Sequence, residues 1–433
     1  MTWANPDKLG RDDPGLSKSG LSKSGLYKPG RYKLAMIGGG AGAFIGGVHR
    51  MAAALDGRFT FCAGALSSDP NRAVESGIGL GLDASRSYPS WQAMLDAESR
   101  RPIGMGPDDR IDAAAIVTPN ATHFAIAKAC VEQGLAVMLD KPMVTTVEDA
   151  AELVGLVHAR LGARDGLAAP VAVSYNYTGY PMVRHMRSLV GSGAIGAVLK
   201  VCVEYHQGWL ARALESTGHK QAAWRLDPAL AGEGGAIGDI GTHCESLVAF
   251  VTGRPIVEVN AELHSFVPGR QLDDDASVLV RLGLPGDGFE QAGAGPASGT
   301  LSVSQICHGE HNGLTLRVFG RDGSLGWNQE HPDQLHVATA DGSTHTLHRG
   351  ALSAASSINA PAIAATRLPP GHSEGFIEAF ANLYRGLADA LDTARLGAAP
   401  TELSTALPTV NDGARGVRFI RACVRSKGHW VMV

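Results

Sequence analysis

The sequence predicts an α/β protein: a doubly wound, parallel Rossmann sheet is followed by an α+β domain with a mostly antiparallel open sheet. From residue 33 to about 178, short apolar runs alternate with helical stretches of ~10–15 residues, a pattern typical of a parallel sheet. After about residue 195 the apolar runs are longer, often alternate with polar residues, and are joined by tight turns such as 321–323. That change favours an antiparallel sheet.

The composition supports large cores and excludes several classes of protein. Of 433 residues, 44% are apolar and 18% charged, too little charge for a disordered chain. A net charge of −4, with both signs spread along the chain, argues against a nucleic-acid partner. No apolar run reaches the ~18 residues of a membrane span. The six cysteines form no CxxC pair, so we expect reduced thiols and a cytoplasmic location.

Residues 1–30 are predicted to be a flexible tail ahead of a Rossmann domain (31–178) and a substrate-binding and oligomerisation domain (179–433). The C-terminal helices of the second domain could pack back on the Rossmann domain. The tail is rich in Gly, Ser, Lys and Pro and has no apolar segment of the kind found in signal peptides. It cannot bury enough apolar surface to order itself. We expect a passive extension, with a partner-binding arm as the alternative.

A glycine-rich turn follows the first predicted strand, Lys33–Ile37. Gly38 and Gly40 open this turn and a helical stretch follows around Val48–Leu55, which is the context of a dinucleotide-binding fingerprint. The glycines would let the backbone approach a pyrophosphate, and the helix N-terminus would offer it free N–H groups. The third glycine of the fingerprint is either Gly46 or replaced by Ala43.

The next apolar run, Phe59–Leu66, ends where a Rossmann unit meets the adenosine ribose. Ser67 and Ser68 lie at that tip, and Arg72 follows. Asp69 lies two positions after the place where an NAD-binding unit has its acidic residue. The hydroxyls and Arg72 could hold a 2′-phosphate. Alternatively, Asp69 caps the next helix and Arg72 is solvated. The sequence therefore predicts NAD or NADP and does not choose between them.

Three more strands complete the predicted parallel sheet, at 112–117, 135–139 and 171–174, with helices at 121–133 and about 145–160. Polar residues follow each strand, and ligands of such sheets bind at the C-terminal strand ends. The residues at these tips are Thr118, Pro119, Asn120, Asp140, Lys141 and Asn176.

The second domain is predicted to contain five strands and three main helices. The predicted strands are 197–206, 256–266, 276–284, 301–307 and 314–319, and the helices are 240–252, 374–391 and 411–425. The stretch 285–300, flanked by glycine and proline, is predicted to be a surface loop.

Lys141, Asp239 and His243 are the candidate catalytic residues. Lys141 lies at the predicted cofactor edge, where its ammonium could hydrogen-bond a substrate hydroxyl and lower the pKa of that hydroxyl. Asp239 and His243 are spaced i, i+4 and would share one helix face, and histidine can accept a proton near neutral pH. A capping Asp with a core His would give the same spacing. Half a zinc site would too, but no third ligand is recognisable, so we predict no metal.

The ordered set of motifs resembles the Gfo/Idh/MocA family (glucose–fructose oxidoreductase, inositol dehydrogenase and rhizopine catabolism proteins) over about residues 33–430. The resemblance rests on the following motifs: the strand with its glycine loop; Thr118-Pro119-Asn120 with His123; Asp140-Lys141-Pro142, which is similar to the family's Glu-Lys-Pro; and Trp224-Arg225 ahead of the Asp239…His243 segment. Two departures are the shorter Asp140 and the additional loop residues 41–43.

The resemblance implies an NAD(P)-dependent oxidoreductase that acts on a sugar, sugar derivative or inositol-like polyol. Lys141 would anchor the reacting hydroxyl, His243 would be the general base, and Asp239 would orient and assist it. A homodimer or homotetramer, commonly formed through the open sheet, is also implied. The predicted cofactor-binding residues are Gly38, Gly40, Phe44, Ile45, Ser67, Ser68, Arg72, Thr118, Pro119, Asn120, His123, Asp140, Lys141 and Asn176.

Substrate selection is expected from the second domain, in addition to the three catalytic residues. Tyr205 and His206 end a strand that could point at the pocket. Trp224 could stack on a sugar face, and Arg225 could hold an anionic or hydroxyl-rich group. Core packing or a surface ion pair is the alternative for each.

Three other functions are compatible with the sequence. The first is an NAD-dependent oxidoreductive glycosidase, which would oxidise a ring hydroxyl transiently and eliminate the aglycone. The second is a dinucleotide sensor without catalysis, against which the intact Lys141, Asp239 and His243 argue. The third is a zinc hydrolase that uses His243.

Overall fold

The computed structural model describes residues 31–104, 106, 108–161, 170–284 and 295–433, with the backbone alone at Lys220. The predicted tail, 1–30, and most of the predicted loop 285–300 lie outside these residues. No helix within the described ranges is both long and apolar enough to cross a bilayer.

Five parallel strands form the first sheet, in the order β2-β1-β3-β4-β5. The strands are β1 (Tyr32–Gly38), β2 (Phe59–Ala65), β3 (Ala113–Val117), β4 (Ala136–Leu139) and β5 (Val171–Val173). The helices beside them are α1 (Phe44–Leu55), α2 (Pro70–Gly79), α3 (Trp91–Ser99), α4 (His123–Glu132) and α5 (Val147–Leu161). Apolar clusters cover both faces of the sheet, which explains its short, uniformly apolar strands.

Nine strands form the second sheet, in the order β13-β12-β11-β10-β6-β9-β8-β7-β14. They are β6 (Val198–His206), β7 (Ile256–His264), β8 (Asp275–Leu282), β9 (Ala297–Ser304), β10 (Gly313–Gly320), β11 (Gly323–Asn328), β12 (Gln334–Thr339), β13 (Thr344–His348) and β14 (Trp430–Met432). Only the β6–β9 pair is parallel among these described strands. The predicted order of a parallel sheet and then a mostly antiparallel one is confirmed.

Helices cover one face of the second sheet and leave the other open. The remaining helices are α6 (Pro181–Gly191), α7 (Lys220–Arg225), α8 (Pro228–Ala231), α9 (Thr242–Thr252), α10 (Ala360–Ala364), α11 (Phe376–Leu396), α12 (Glu402–Thr405) and α13 (Val410–Ser426). Strand β8 shows the two faces, because Val278 and Val280 are buried while Leu279 and Arg281 between and beside them are exposed.

The loop prediction for 285–300 was wrong at its end, because β9 already begins at Ala297. The run contains Gly299, which was taken as a loop residue. A Cβ at Gly299 would lie 2.3 Å from the carbonyl oxygen of Val201 on the neighbouring β6. The glycine therefore marks a close approach of two strands.

The C-terminal helices pack back onto the first sheet. Leu383, Tyr384 and Leu387 of α11 are buried in the same cluster as Leu34 of β1 and Val48 of α1. Helix α13 contributes to both cores, with Val417 in the cluster on the other face of the first sheet and Phe419 in the core of the second. Residues after 375 thus hold the two sheets together.

Replacing Leu387 by alanine should lower the free energy of unfolding by about 2–5 kcal/mol, because a fully buried leucine in α11 loses its contacts and leaves a cavity. Leu396→Ala, in the same helix but at a side chain that is 58% exposed, should cost less than about 0.5 kcal/mol. Urea unfolding of both variants measures the difference. Equal losses would show that α11 does not pack on the first sheet as described.

Candidate active site

The turn after β1 is shaped by glycines that no other residue could replace without strain or collision. Gly38 and Gly39 have positive φ values of 77° and 67°. A Cβ at Gly40 would lie 2.5 Å from Leu66 O, and one at Gly46 would lie 2.1 Å from Gly39 O. Gly46 is therefore the glycine that lets α1 pack against the strand, and Ala43 is the residue before the helix.

Helix α1 begins at Phe44, a full turn earlier than the predicted helical stretch around Val48. Phe44 and Ile45 form its first turn, and no side chain caps it. The first N–H groups of a helix have no partners within it, so this end of α1 can accept an anion. Arg50 secures the turn by donating from Nη1 to Gly39 O at 2.6 Å.

At the tip of β2, Asp69 caps α2 by accepting a hydrogen bond from the Arg72 backbone N–H at 2.8 Å. The capping interpretation of Asp69 is thus confirmed. Ser67 Oγ accepts from the Asp69 N–H at 3.1 Å, while Ser68 and the Arg72 side chain are exposed. The choice between NAD and NADP stays open at this tip.

The tips of β3 and β4 are tied together by His123. Its ring is fully buried, with Nδ1 3.0 Å from Pro142 O and Nε2 2.9 Å from Thr118 O. Burial lowers the pKa of His123. We expected its side chain to lie along the cofactor. A neutral ring has one N–H, so it donates to one of these two carbonyls and packs against the other, which holds the two loops together. Its predicted contact with a cofactor stays a prediction.

Asn120 also uses its side chain within the protein, donating from Nδ2 to Ala231 O of α8 at 3.0 Å. Thr118 and Pro119 stay half-buried at the sheet edge, and the Thr118 hydroxyl accepts from Thr122 Oγ1 at 2.7 Å. The predicted contacts of these loop residues with a cofactor stay predictions.

Lys141 and Asp239 meet across the two sheets. Lys141 Nζ lies 2.6 Å from Asp239 Oδ1 and 2.5 Å from the Asp239 carbonyl oxygen. Asp140 fixes the strand tip from which Lys141 reaches out, because its Oδ1 accepts from Ser174 Oγ at 2.5 Å and from the Lys141 N–H at 2.9 Å. The shorter side chain at 140 therefore still reaches β5.

The second carboxylate oxygen of Asp239 contacts Arg225 Nε at 3.3 Å and Gln305 Nε2 at 3.0 Å. Burial alone would raise the pKa of Asp239, but Lys141 and then Arg225 outweigh it and hold this pKa well below its ordinary value. Asp239 is therefore ionised. Gln305 was not predicted; its signal in the sequence is a polar side chain directly after an apolar strand.

His243 stands beside Asp239 but is not hydrogen-bonded to it among the contacts that the structure describes. The backbone from Ile237 to Gly241 forms a π-helical turn before α9, which changes the side-chain spacing assumed for an α-helix. Burial, and then Lys141, lower the pKa of His243 well below its ordinary value. The ring is therefore neutral and can accept a proton.

Three tyrosines surround the His243 ring. Tyr177 and Tyr175 meet it edge-on, with ring centroids 4.8 Å and 5.9 Å away, and Tyr205 lies at 6.2 Å. Nδ1 of His243 is buried without a hydrogen-bond partner in the described part of the chain. Nε2 is consequently the nitrogen left to face a substrate.

A closed ring of hydrogen bonds fixes two of these tyrosines. The Tyr205 hydroxyl donates to Asn312 Oδ1 at 2.6 Å, and Asn312 Nδ2 donates to the Tyr177 hydroxyl at 3.2 Å. Tyr177 therefore donates to Tyr205, at 2.5 Å. Sequence analysis missed Tyr177 and Asn312, since the loop that carries Asn312 has no motif that links it to the strand tips.

Two predicted substrate residues have different placements. Alternation along β6 turns Tyr205 towards His243 and His206 onto the open face, where Nε2 lies 2.9 Å from Ser302 Oγ. The prediction that His206 binds substrate was wrong for this reason. Trp224 is half-buried and stacks under the Arg225 guanidinium, 4.3 Å from the ring centroid, beside Asp239.

These features fit a dinucleotide. The glycine turn leaves space that a Cβ would fill, and no side chain caps the adjoining helix end. Asn176 Nδ2, just after β5, is buried without a hydrogen-bond partner among the described residues. No three His, Cys, Asp or Glu side chains within the described residues are grouped so that they could hold a metal ion.

A dinucleotide cradle on one sheet, facing proton-handling side chains supplied by the next, is the arrangement of a Rossmann oxidoreductase. Family models match both parts: residues 32–161 match the oxidoreductase family with an NAD-binding Rossmann fold, and residues 183–326 match the GFO/IDH/MocA C-terminal domain. The chain belongs to the Gfo/Idh/MocA family of NAD-binding oxidoreductases.

Individual relatives agree with this membership. The oxidoreductase YfiI of Bacillus subtilis is 33% identical over 90% of this chain and 93% of its own. Levoglucosan dehydrogenase of Pseudarthrobacter phenanthrenivorans is 30% identical over 71% of this chain and 76% of its own. An inositol dehydrogenase homolog from Azotobacter vinelandii, solved with NAD⁺, is 32% identical with a TM-score of 0.81 over 93% of this chain and 98% of its own. The oxidoreductive glycosidase alternative is not favoured by these relatives.

Replacing Arg72 by alanine should lower kcat/KM with NADP⁺ more than kcat/KM with NAD⁺, because an exposed guanidinium at the β2 tip can pair with a 2′-phosphate that NAD⁺ lacks. The ratio of the two values, measured with one substrate, is the test. Arg100→Ala, at an exposed arginine after α3 that pairs with Asp96, is the control. An unchanged ratio would show that Arg72 does not contact the ribose.

Proposed function

We propose that the protein transfers a hydride between a nicotinamide cofactor and a hydroxyl- or keto-bearing carbon of a sugar, sugar derivative or inositol-like polyol. The observation that carries this proposal is the contact of Lys141 Nζ with Asp239 beside His243, at the sheet edge that holds the glycine turn. The relative from Azotobacter vinelandii, also solved with NADH and myo-inositol, supports the substrate class, as does the levoglucosan dehydrogenase.

Lys141 would bind the reacting oxygen. An ammonium group has three protons, and Asp239 takes two of them through its carbonyl and carboxylate oxygens. One N–H remains for the substrate. Its positive charge would stabilise the alkoxide that forms as a hydroxyl loses its proton.

His243 would exchange that proton through Nε2. Its low pKa keeps the resting ring neutral, so it can accept the proton when a hydroxyl is oxidised. In the reverse direction the proton would come from the protonated ring, which then returns to the neutral form. The tyrosines around the ring exclude water and fix its plane. The bound nicotinamide supplies the hydride acceptor or donor.

The remaining groups would hold the substrate and cofactor. Tyr205 lines the His243 side, and Trp224 with Arg225 lines the Asp239 side, where the indole could cover a sugar face. Asn176 Nδ2 would donate to the cofactor or the substrate where the two meet. Arg225 is already paired with Asp239, which favours hydroxyl groups over a strongly anionic substituent.

A homodimer or homotetramer paired through the open sheet face is also part of this proposal. Leu199 of β6 and Leu279 of β8 are exposed, with β9 between their strands, and Leu279 lies among polar side chains such as Ser277 and Arg281. An exposed apolar patch with a polar rim is typical of an interface. We also place the protein in the cytoplasm, since all six cysteines are free thiols.

Lys141→Ala and His243→Ala should each lower kcat by about 10²-fold or more, because one removes the charge that stabilises the alkoxide and the other removes the proton acceptor. NADH absorbance during oxidation of myo-inositol, levoglucosan and other polyols measures the loss. Lys128→Ala and His158→Ala, at exposed side chains of α4 and α5, should keep wild-type turnover. A wild-type protein that binds NADH and turns over none of these compounds would contradict the proposal.

A further inference from the structure

The turn that carries Asp239 is held by a residue from the second sheet. Asp273 lies in the loop between β7 and β8, and three successive backbone N–H groups donate to it. Gly235 N donates to Asp273 Oδ1 at 2.6 Å, Ala236 N to the Asp273 carbonyl oxygen at 2.8 Å, and Ile237 N to Oδ2 at 2.7 Å. Helix starts usually depend on a neighbouring side chain for this purpose, whereas this cap comes from 36 or more positions away.

Gly235 lies so close to the Asp273 backbone that no larger residue would fit there. A Cβ at Gly235 would lie 2.0 Å from Asp273 O, so only glycine fits against this loop. Asp239 N then donates to Gly235 O at 2.8 Å, one turn further on. The place of the Asp239 backbone in the structure is therefore set by Gly235, which Asp273 holds.

The residue after Asp273 reaches Asp239 from the other side. Asp274 O accepts from the Gln305 backbone N–H at 2.9 Å, and Gln305 Nε2 donates to Asp239 Oδ2 at 3.0 Å. The buried Asp274 carboxylate also accepts from the N–H groups of Phe266 and Val267, which closes the β7–β8 loop. Two adjacent aspartates thus fix both the backbone and the carboxylate of Asp239.

We propose that Asp273 is a positioning residue for the reaction: through the turn Gly235–Ile237 it places Asp239 for Lys141, while Asp274 places Gln305 for the same carboxylate. This inference rests on the proposed function, in which Lys141 and Asp239 act on the substrate hydroxyl. Asp273 itself touches neither substrate nor cofactor.

The test compares Asp273→Asn and Asp273→Ala with the wild-type enzyme. Displacing a reacting group by about 1 Å can cost about 10²-fold in rate, so we expect kcat to fall by up to this factor in Asp273→Ala. Asp273→Asn keeps one oxygen acceptor and should retain more activity. The Kd for NADH should stay within about twofold, because the turn belongs to the other side of the site.

Asp112→Asn is the matched control, since Asp112 is a buried aspartate that accepts from the Lys33 backbone N–H in the first sheet. If the Asp273 variants lose no more kcat than Asp112→Asn at an equal loss of Tm, the role of Asp273 is only structural and the proposal fails. Gln305→Ala provides a second variant should Asp273→Ala not fold. It should lower kcat while the Kd for NADH is kept, and unchanged kcat would overturn the part assigned to Asp274.

Hydrogen exchange separates this inference from the proposed function. If the wild-type protein turns over no polyol, the proposed function fails, but the Gly235 and Ile237 amides can still be followed. They should exchange faster in Asp273→Asn than in Asp112→Asn. Equal exchange would overturn the positioning role of Asp273 whatever the substrate.

Discussion

The ion pair between Lys141 and Asp239 is the contact on which the site depends. It joins the tip of β4 to the turn before α9, and neither charge is fully solvated. A buried pair is tolerated only when its remaining donors and acceptors are satisfied, and loss of one partner leaves a costly unpaired charge. On the carboxylate side, Gln305 donates a hydrogen bond to Asp239 Oδ2, and the Arg225 guanidinium adds a positive charge 3.3 Å away. The Lys141 ammonium keeps one N–H that these contacts do not use, and this N–H can donate to the substrate oxygen.

Several separate parts of the fold hold the loops and side chains around this pair in place. His123 ties the loops after β3 and β4, and Asn120 ties the first of these loops to α8. The ring of Tyr177, from the turn after β5, with Tyr205 and Asn312 of the second sheet and its loops, packs beside His243. The tyrosine–asparagine ring, in which each member both donates and accepts, is rigid, which suits a site that must place a hydroxyl, a proton acceptor and a hydride acceptor together.

The sequence predicts the architecture and the three catalytic candidates because both follow from local patterns: strand–helix alternation, glycine turns and polar strand tips. It could not choose between Gly46 and Ala43, since the reason lies in the distance from Gly46 to Gly39 O. The prediction for His206 was wrong because neighbouring residues of a strand face opposite sides of the sheet. The local sequence does not indicate which side is the open one. Gln305, Asn312 and Asp273 were missed because they act across long sequence separations. The π-helical turn before His243 has no local signature either.

The packing of α11 has a consequence for how the chain is made. Residues 376–396 cover α1 and β1, which are synthesised well before them. During synthesis the nascent Rossmann unit therefore exposes the apolar surface around Leu34 and Val48 until α11 has emerged. Domains usually fold as units during synthesis. Here the cofactor unit reaches its final core only after the second sheet, and a chaperone has a surface to recognise in the interval.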